Sequence, residues 1–170
     1  LEDVVIGEKS LRFRKGQDYP VVARRKGSMK APEEILLNQN AMAAGKSYFH
    51  VGQFQISPDN RLLAWTEDSV GRLQYRLMIK EIASGRMLDG AVSNLEEEVV
   101  WADDNRTVFY IDKDPVTLLS KRVKAHAIGT AATSDRLVYS EADDSYYISL
   151  KRTTSDRFLC IALSSTVSTE

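Results

Sequence analysis

The stretch NAMAAGKSYFHVG, residues 40–52, contains Gly45-Lys46-Ser47, the second half of a phosphate-binding loop. Such a loop needs G-x-x-x-x-G-K-[ST], in which the first glycine gives the backbone the freedom to close its N–H groups on the phosphates. Asn40 stands at that first position, and asparagine tolerates a left-handed backbone better than most residues, so the surroundings must decide. A phosphate loop leaves a strand and opens a helix. Here the following residues, 48–56, are rich in aromatic and β-branched types and run into the turn signal Ser57-Pro58-Asp59-Asn60. That pattern is a strand and a hairpin, so Lys46 and Ser47 are expected to be connector residues and not phosphate ligands.

The remaining reactive residue types are sparse. A hydrolase serine on a tight strand-to-helix turn needs G-x-S-x-G, and no serine satisfies it: Ser47 has a glycine two residues before it, but Phe49 stands where the second glycine belongs. His50 and His126 are the only imidazoles and lie too far apart in the chain to suggest a metal cluster, so neither a metal nor a cofactor is expected. The acidic runs Glu96-Glu97-Glu98 and Asp143-Asp144 read as solvated loops, and Arg24-Arg25-Lys26, followed by Gly27-Ser28, as a solvated hairpin end. Cys160, the single cysteine, lies in the apolar run 158–163 and is expected to be a buried, inert thiol with no disulfide partner in the chain.

The elements that would position these residues come from a repeat. Ser57-Pro58-Asp59-Asn60-Arg61-Leu62-Leu63-Ala64-Trp65 matches Ala102-Asp103-Asp104-Asn105-Arg106-Thr107-Val108-Phe109-Tyr110 about 45 residues later, and a third copy begins at Thr154-Ser155-Asp156-Arg157. Asn105-Arg106-Thr107, though it fits a glycosylation acceptor, is therefore read as a turn. Roughly 40 to 50 residues is the length of a four-stranded propeller blade. The runs after each turn, 62–65, 108–111 and 158–163, are apolar at nearly every position, as in strands buried on both faces. An all-β, partial β-propeller follows, with about three to three and a half blades of a presumed seven. Residues 1–45 give late strands of one blade (11–15, 19–25 and 34–37), 46–90 a full blade, 91–142 another and 143–170 the start of a fourth. Only 33–44, framed by Pro32 and Gly45, carries a helical signal, and 34–37 is read as strand instead.

Composition bounds the rest. The 170 residues are 43% apolar, enough for a substantial core, and 23 basic against 24 acidic residues give a net charge of −1. No global field draws this chain to nucleic acid or to a membrane surface, and no apolar stretch approaches the length of a membrane span. A cytoplasmic location is expected. The chain begins Leu1-Glu2 without an initiator methionine and is expected to be a piece of a longer polypeptide.

Four stretches resemble consecutive parts of the propeller of oligopeptidase B (protease II), of the prolyl oligopeptidase group of serine peptidases: KGQDYPVVARRKGSMKAPEEILLNQNAMAAG, SPDNRLLAWTEDSVGRLQYRLMIKEIASGRML, VVWADDNRTVFYIDKDPVTLL and ISLKRTTSDRFLCIALSSTVSTE. The chain departs from that pattern at residues 122–126, where the family often has Val-Trp-x-His and this sequence reads Arg122-Val123-Lys124-Ala125-His126. The resemblance implies a parent enzyme cleaving short peptides after Arg or Lys. Its serine, aspartate and histidine would lie on an α/β-hydrolase domain of the same polypeptide, none of them in this chain. The propeller would cap the active site and exclude folded proteins. It also makes Glu67, Asp68, Arg72 and Asp114 candidates for ion pairs between domains or for gating. The local alternative is that Glu67 and Asp68 end a strand, Arg72 pairs with one of them, and Asp114 precedes Pro115 in a turn. A protein-binding propeller of the kelch or WD type is the competing class, though the repeats lack both signatures. Alone, fewer than four blades would leave bare sheet faces and unpaired edges, so self-association is expected.

Overall fold

The computed structural model describes residues 4–6, 9–13, 15–28 and 30–166. It divides into two compact units, residues 1–49 and 50–170. Leu1 and Glu2 lie outside the described residues, as does Arg14 of the expected strand 11–15.

The first unit is one antiparallel sheet, in the order β1 (Val4–Ile6), β2 (Lys9–Arg12), β3 (Val21–Arg25) and β4 (Glu33–Asn38). Val21, Val22, Ala23, Leu36 and Leu37 are buried in it. Two expectations change here. Arg24 and Arg25 are strand residues, not a solvated hairpin end: Arg24 is 4% exposed and its Nε donates to Glu34 at 2.7 Å, while Arg25 pairs with Glu33 across the same ladder. The strand at 34–37 forms, but a one-turn helix α1 (Gln39–Ala43) follows it, started by the Asn38 side chain accepting from the Ala41 amide at 3.3 Å. Gly45-Lys46-Ser47 thus follow a helix and precede a strand, the reverse of a phosphate loop.

The second unit repeats one plan. A first set comprises β5 (His50–Ile56), β6 (Leu62–Asp68), β7 (Tyr75–Glu81) and β8 (Met87–Asp89). A second comprises β9 (Ser93–Trp101), β10 (Thr107–Lys113), β11 (Ser120–Ala127) and β12 (Arg136–Ser140), and the hairpin of β13 (Tyr147–Arg152) and β14 (Leu159–Ser164) follows. All pairings are antiparallel, and β9 crosses between sets, Leu95 pairing with both Tyr75 and Asp112. The repeated turns share one geometry. Asn60, Asn105 and Asp156 all sit at positive φ, between 57° and 63°, and each hairpin closes with the same backbone bond: Ser57 to Leu62, Ala102 to Thr107 and Thr153 to Phe158. Asparagine and aspartate recur there because their short side chains tolerate this conformation.

Strands of the second set feed two cores. On β9, Val99 and Trp101 pack with Ala64, Tyr75, Leu77 and Ile79 of the first set, whereas Val100 faces Ile148 and Leu150. On β10, Val108 and Tyr110 join the first core and Ile111 the second. Both faces of these strands are buried, which is why they read as unbroken apolar runs. The third run differs: β14 is half-buried along its length, Phe158 is 63% exposed, and Cys160 is partly exposed rather than buried. This element order, with almost no helix, is a partial β-propeller.

Gly52 sits where β9 presses on the first set. A Cβ there would lie 2.7 Å from Glu97 Cβ, 2.7 Å from Thr66 Oγ1 and 2.9 Å from Tyr75 Cε1. Thr66, fully buried, also donates to the Glu97 carbonyl at 2.7 Å, so neither wall is free to retreat. The substitution Gly52→Ala is expected to destabilise the fold by about 1–3 kcal/mol, the usual range for overpacking, read as a lower denaturation midpoint at unchanged slope.

Candidate functional site

Glu67, Asp68, Arg72 and Asp114 all fall at one end of the sheet, in or beside the loops joining β6 to β7 and β10 to β11. Asp68 is 1% exposed. Its Oδ1 accepts from the amides of Val70 and Gly71 at 2.8 and 2.9 Å, its Oδ2 from those of Arg72 and Leu73 at 3.0 and 2.9 Å. Asp114 does a smaller version of this, its Oδ1 accepting from Val116 and Thr117 at 2.9 and 2.8 Å. These are equivalent positions of the repeat, and each loop ends on a leucine at positive φ, Leu73 at 55° and Leu118 at 60°. Burial opposes ionisation of Asp68, but the four amides outweigh it and hold the carboxyl below the ordinary range. The amides of Thr117 and Val116 do the same for Asp114. Arg72 meets Asp68 through its backbone amide, and Glu67 accepts from Trp65 Nε1 at 3.0 Å. The carboxylates of Asp68 and Asp114 therefore shape their own loops.

Beside Leu73 opens a cleft of about 330 Å³, walled by Tyr75, Tyr147 and the three consecutive glutamates of β9. Glu96, Glu97 and Glu98 are strand residues, not a solvated loop. Glu96 is neutralised: its Oε1 takes Lys113 Nζ at 3.0 Å and Ser120 Oγ at 2.7 Å. Lys113, 6% exposed, also donates to the Leu73 carbonyl at 3.0 Å, which gives the left-handed leucine a structural reason. Burial pushes the Glu98 carboxyl above its ordinary range, and repulsion from Glu97 and Glu96 adds to this against one hydrogen bond from the Leu150 amide. Three carboxylates against one ammonium leave the cleft negative, and two tyrosine rings flank it. Its chemistry suits a cation with an apolar or aromatic neighbour.

The histidines lie elsewhere. The His50 Nδ1 faces Tyr75 Oη at 3.2 Å, while His126 is fully buried between Asp135, 2.7 Å from Nδ1, and Asp89, 2.9 Å from Nε2. Among the described residues no group of His, Cys, Asp and Glu is arranged to hold a metal ion. No helix there is long and apolar enough to cross a membrane.

Sequence reasoning missed Lys113, the strand placement of Glu96–Glu98 and the pairing of His126. A signal for the loops was present: Asp68 and Asp114 stand 46 residues apart, in register with the turn repeat.

Known proteins share this fold. The pattern describing the N-terminal β-propeller domain of prolyl oligopeptidase matches residues 11–170. The chain is 49% identical to the dipeptidyl aminopeptidase BI of Pseudoxanthomonas mexicana, covering 94% of this chain and 24% of that protein. It is 26% identical to the protease 2 of Moraxella lacunata, with the same coverage of each. Among solved structures, oligopeptidase B from Leishmania major superposes with a TM-score of 0.84 at 26% identity, over 95% of this chain and 23% of that one. This chain thus spans about a quarter of the length of these relatives.

Removing the Asp68 carboxylate by Asp68→Ala strands four amides, and a loss of roughly 3 kcal/mol is expected at neutral pH. Because the folded carboxyl is held low, its stabilisation is present above its unfolded pKa and lost as pH falls through the folded one. The gap between variant and wild type should therefore narrow below about pH 4. Denaturant titrations at neutral and acid pH read both effects.

Proposed function

The chain belongs to the prolyl oligopeptidase family, whose N-terminal propeller domain it matches, and from that premise we propose that it is the non-catalytic propeller portion of a serine peptidase cleaving short peptides after Arg or Lys. The catalytic α/β-hydrolase domain belongs to the same polypeptide, in the cytoplasm. The propeller caps the active site and admits flexible peptides while refusing folded ones. Its blades divide near residues 45, 90 and 142. Ion pairs from Glu67 and Arg72 toward the catalytic domain are part of this reading; Asp68 and Asp114 act by holding their loops in shape.

The observation that carries the substrate class is the cleft at Glu96–Glu98. A negative cleft between tyrosine rings raises the local concentration of cationic peptides and slows their escape. A second reading has its own support. The relative at 49% identity is named a dipeptidyl aminopeptidase, and a cation-holding cleft suits a peptide's free amino terminus as well as a basic side chain.

One assay on the complete polypeptide separates them. Arginyl and lysyl peptides are supplied with free and with acetylated amino termini. Internal cleavage of both forms supports the endopeptidase, and release of dipeptides from the free form alone supports the aminopeptidase. Absence of cleavage in either form would leave a protein-binding propeller as the better account.

Residues 1–170 by themselves should associate. The face of β14 turned away from the second core, with Cys160 and Ala162, is only half-buried, Tyr147 on the same side of the hairpin is 59% exposed, and the outer edge of β14 has no strand paired to it among the described residues. Sedimentation of this segment alone should show concentration-dependent oligomers, and a monodisperse monomer would contradict the bare-face reading.

A further inference from the structure

His126 has a partner on each ring nitrogen, and the partners come from opposite sides of a seam. Asp135 precedes β12 and belongs to the second four-stranded set; Asp89 ends β8 and belongs to the first. The imidazole is fully buried, and the carboxylate side chains are 4% and 1% exposed for Asp89 and Asp135. A neutral imidazole carries one N–H, so two carboxylates facing both nitrogens require the three groups to hold one proton more than that. The remaining oxygens are also filled. Asp89 Oδ2 accepts from the Gly129 amide at 2.6 Å and its Oδ1 from Gly90 and Ala91 at 2.7 and 3.0 Å, while Asp135 Oδ2 accepts from Tyr110 Oη at 2.8 Å. From β7, Arg76 Nε reaches the Gly90 carbonyl at 2.8 Å and closes the cluster on that side.

We propose that Asp89, His126 and Asp135 form a latch that welds the two four-stranded sets into one body and keeps the gap between them shut to wide substrates. Three features support it. The latch joins the outermost strand of one set to the segment entering the outermost strand of the other, where a tie opposes hinge-like parting with the longest lever. Further ties span the same seam near its inner strands: Gln53 Oε1 accepts from the Val99 amide at 2.8 Å, and the Gln55 carbonyl from Trp101 Nε1 at 3.0 Å. The next seam is built differently. There the Leu150 amide donates to Glu98 at 2.7 Å and Arg152 to the Trp101 carbonyl at 3.0 Å, while the ion pair from Arg152 goes to Asp103, which is 78% exposed, and such solvated pairs hold weakly. Severing one partner of the buried latch leaves a charge uncompensated in a dry seam, so the loss is felt by both sets at once.

The gating half of this inference rests on the proposed size filter; the welding half does not. The test uses the complete polypeptide and the substitution His126→Gln, with Asp89→Asn as a second variant that keeps the side-chain shape should the first not fold. Hydrogen exchange at the Gly129 amide is expected to quicken by at least about tenfold while the Ala64 amide, on β6 between β5 and β7, keeps its rate. Cleavage of a short basic peptide should stay within about twofold of wild type, and an unfolded, alkylated protein, refused by wild type, should become a substrate. Unchanged Gly129 exchange in a folded variant overturns the latch. Faster exchange with the protein substrate still refused overturns the gate. A wild-type enzyme inactive on basic peptides would sink the proposed function and the gate with it, while the exchange result would still decide the latch.

Discussion

A sheet whose strands are apolar on both faces has to find a neighbour on each side, and that requirement organises the second unit. β9 and β10 send alternate residues into two cores, Val99, Trp101, Val108 and Tyr110 to one and Val100 and Ile111 to the other. At about 25 cal/mol per Å² of apolar surface removed from water, no solvated sheet could match that burial. The cost is that no set is complete alone. Each needs the next, which is why the half-covered β14 and the exposed Phe158 are found at the far end of the described chain.

Apolar burial by itself would let neighbouring sheets slide, because it has no direction. The polar ties across the seam supply direction. Thr66 fixes the height of β9 through the Glu97 carbonyl, Asn105 Oδ1 takes the Asp59 amide at 2.8 Å at the turn end, and Lys113 reaches Leu73 at the loop end. Each is a hydrogen bond between groups that would otherwise be costly to leave unpaired. The close approach at Gly52 is possible because the sheets have one relative position and not a family of them.

The parts of this structure legible in the sequence were those set by local backbone chemistry and by burial on both faces. The turn at Ser57–Arg61 and its copies could be read because asparagine and aspartate recur at the left-handed position, and the rejection of Gly45-Lys46-Ser47 rested on the strand that follows. What could not be read was decided by neighbours far away in sequence. Arg24 is buried because Glu34 waits across the ladder, and Glu96 sits in a strand because Lys113 neutralises it. Cys160 is half-exposed because the sheet face it belongs to is only partly covered. The helix at Gln39–Ala43 falls within the segment 33–44 that Pro32 and Gly45 frame, but one turn is too short to show periodicity, and its start is set by the Asn38 cap. Among the four residues singled out for contact with another domain, Asp68 and Asp114 face their own loop amides, a use that residue type alone does not distinguish from an ion pair.

Sheets covered on both faces are what hold this fold together, and the structure of the complete polypeptide at β14 tests that most directly. Cys160 and Ala162, on the face of β14 turned away from the second core, are predicted to lie under further β-structure of the same chain, with the free edge of β14 paired to its next strand. Finding that face open to water, or that edge unpaired, in the complete protein would contradict it.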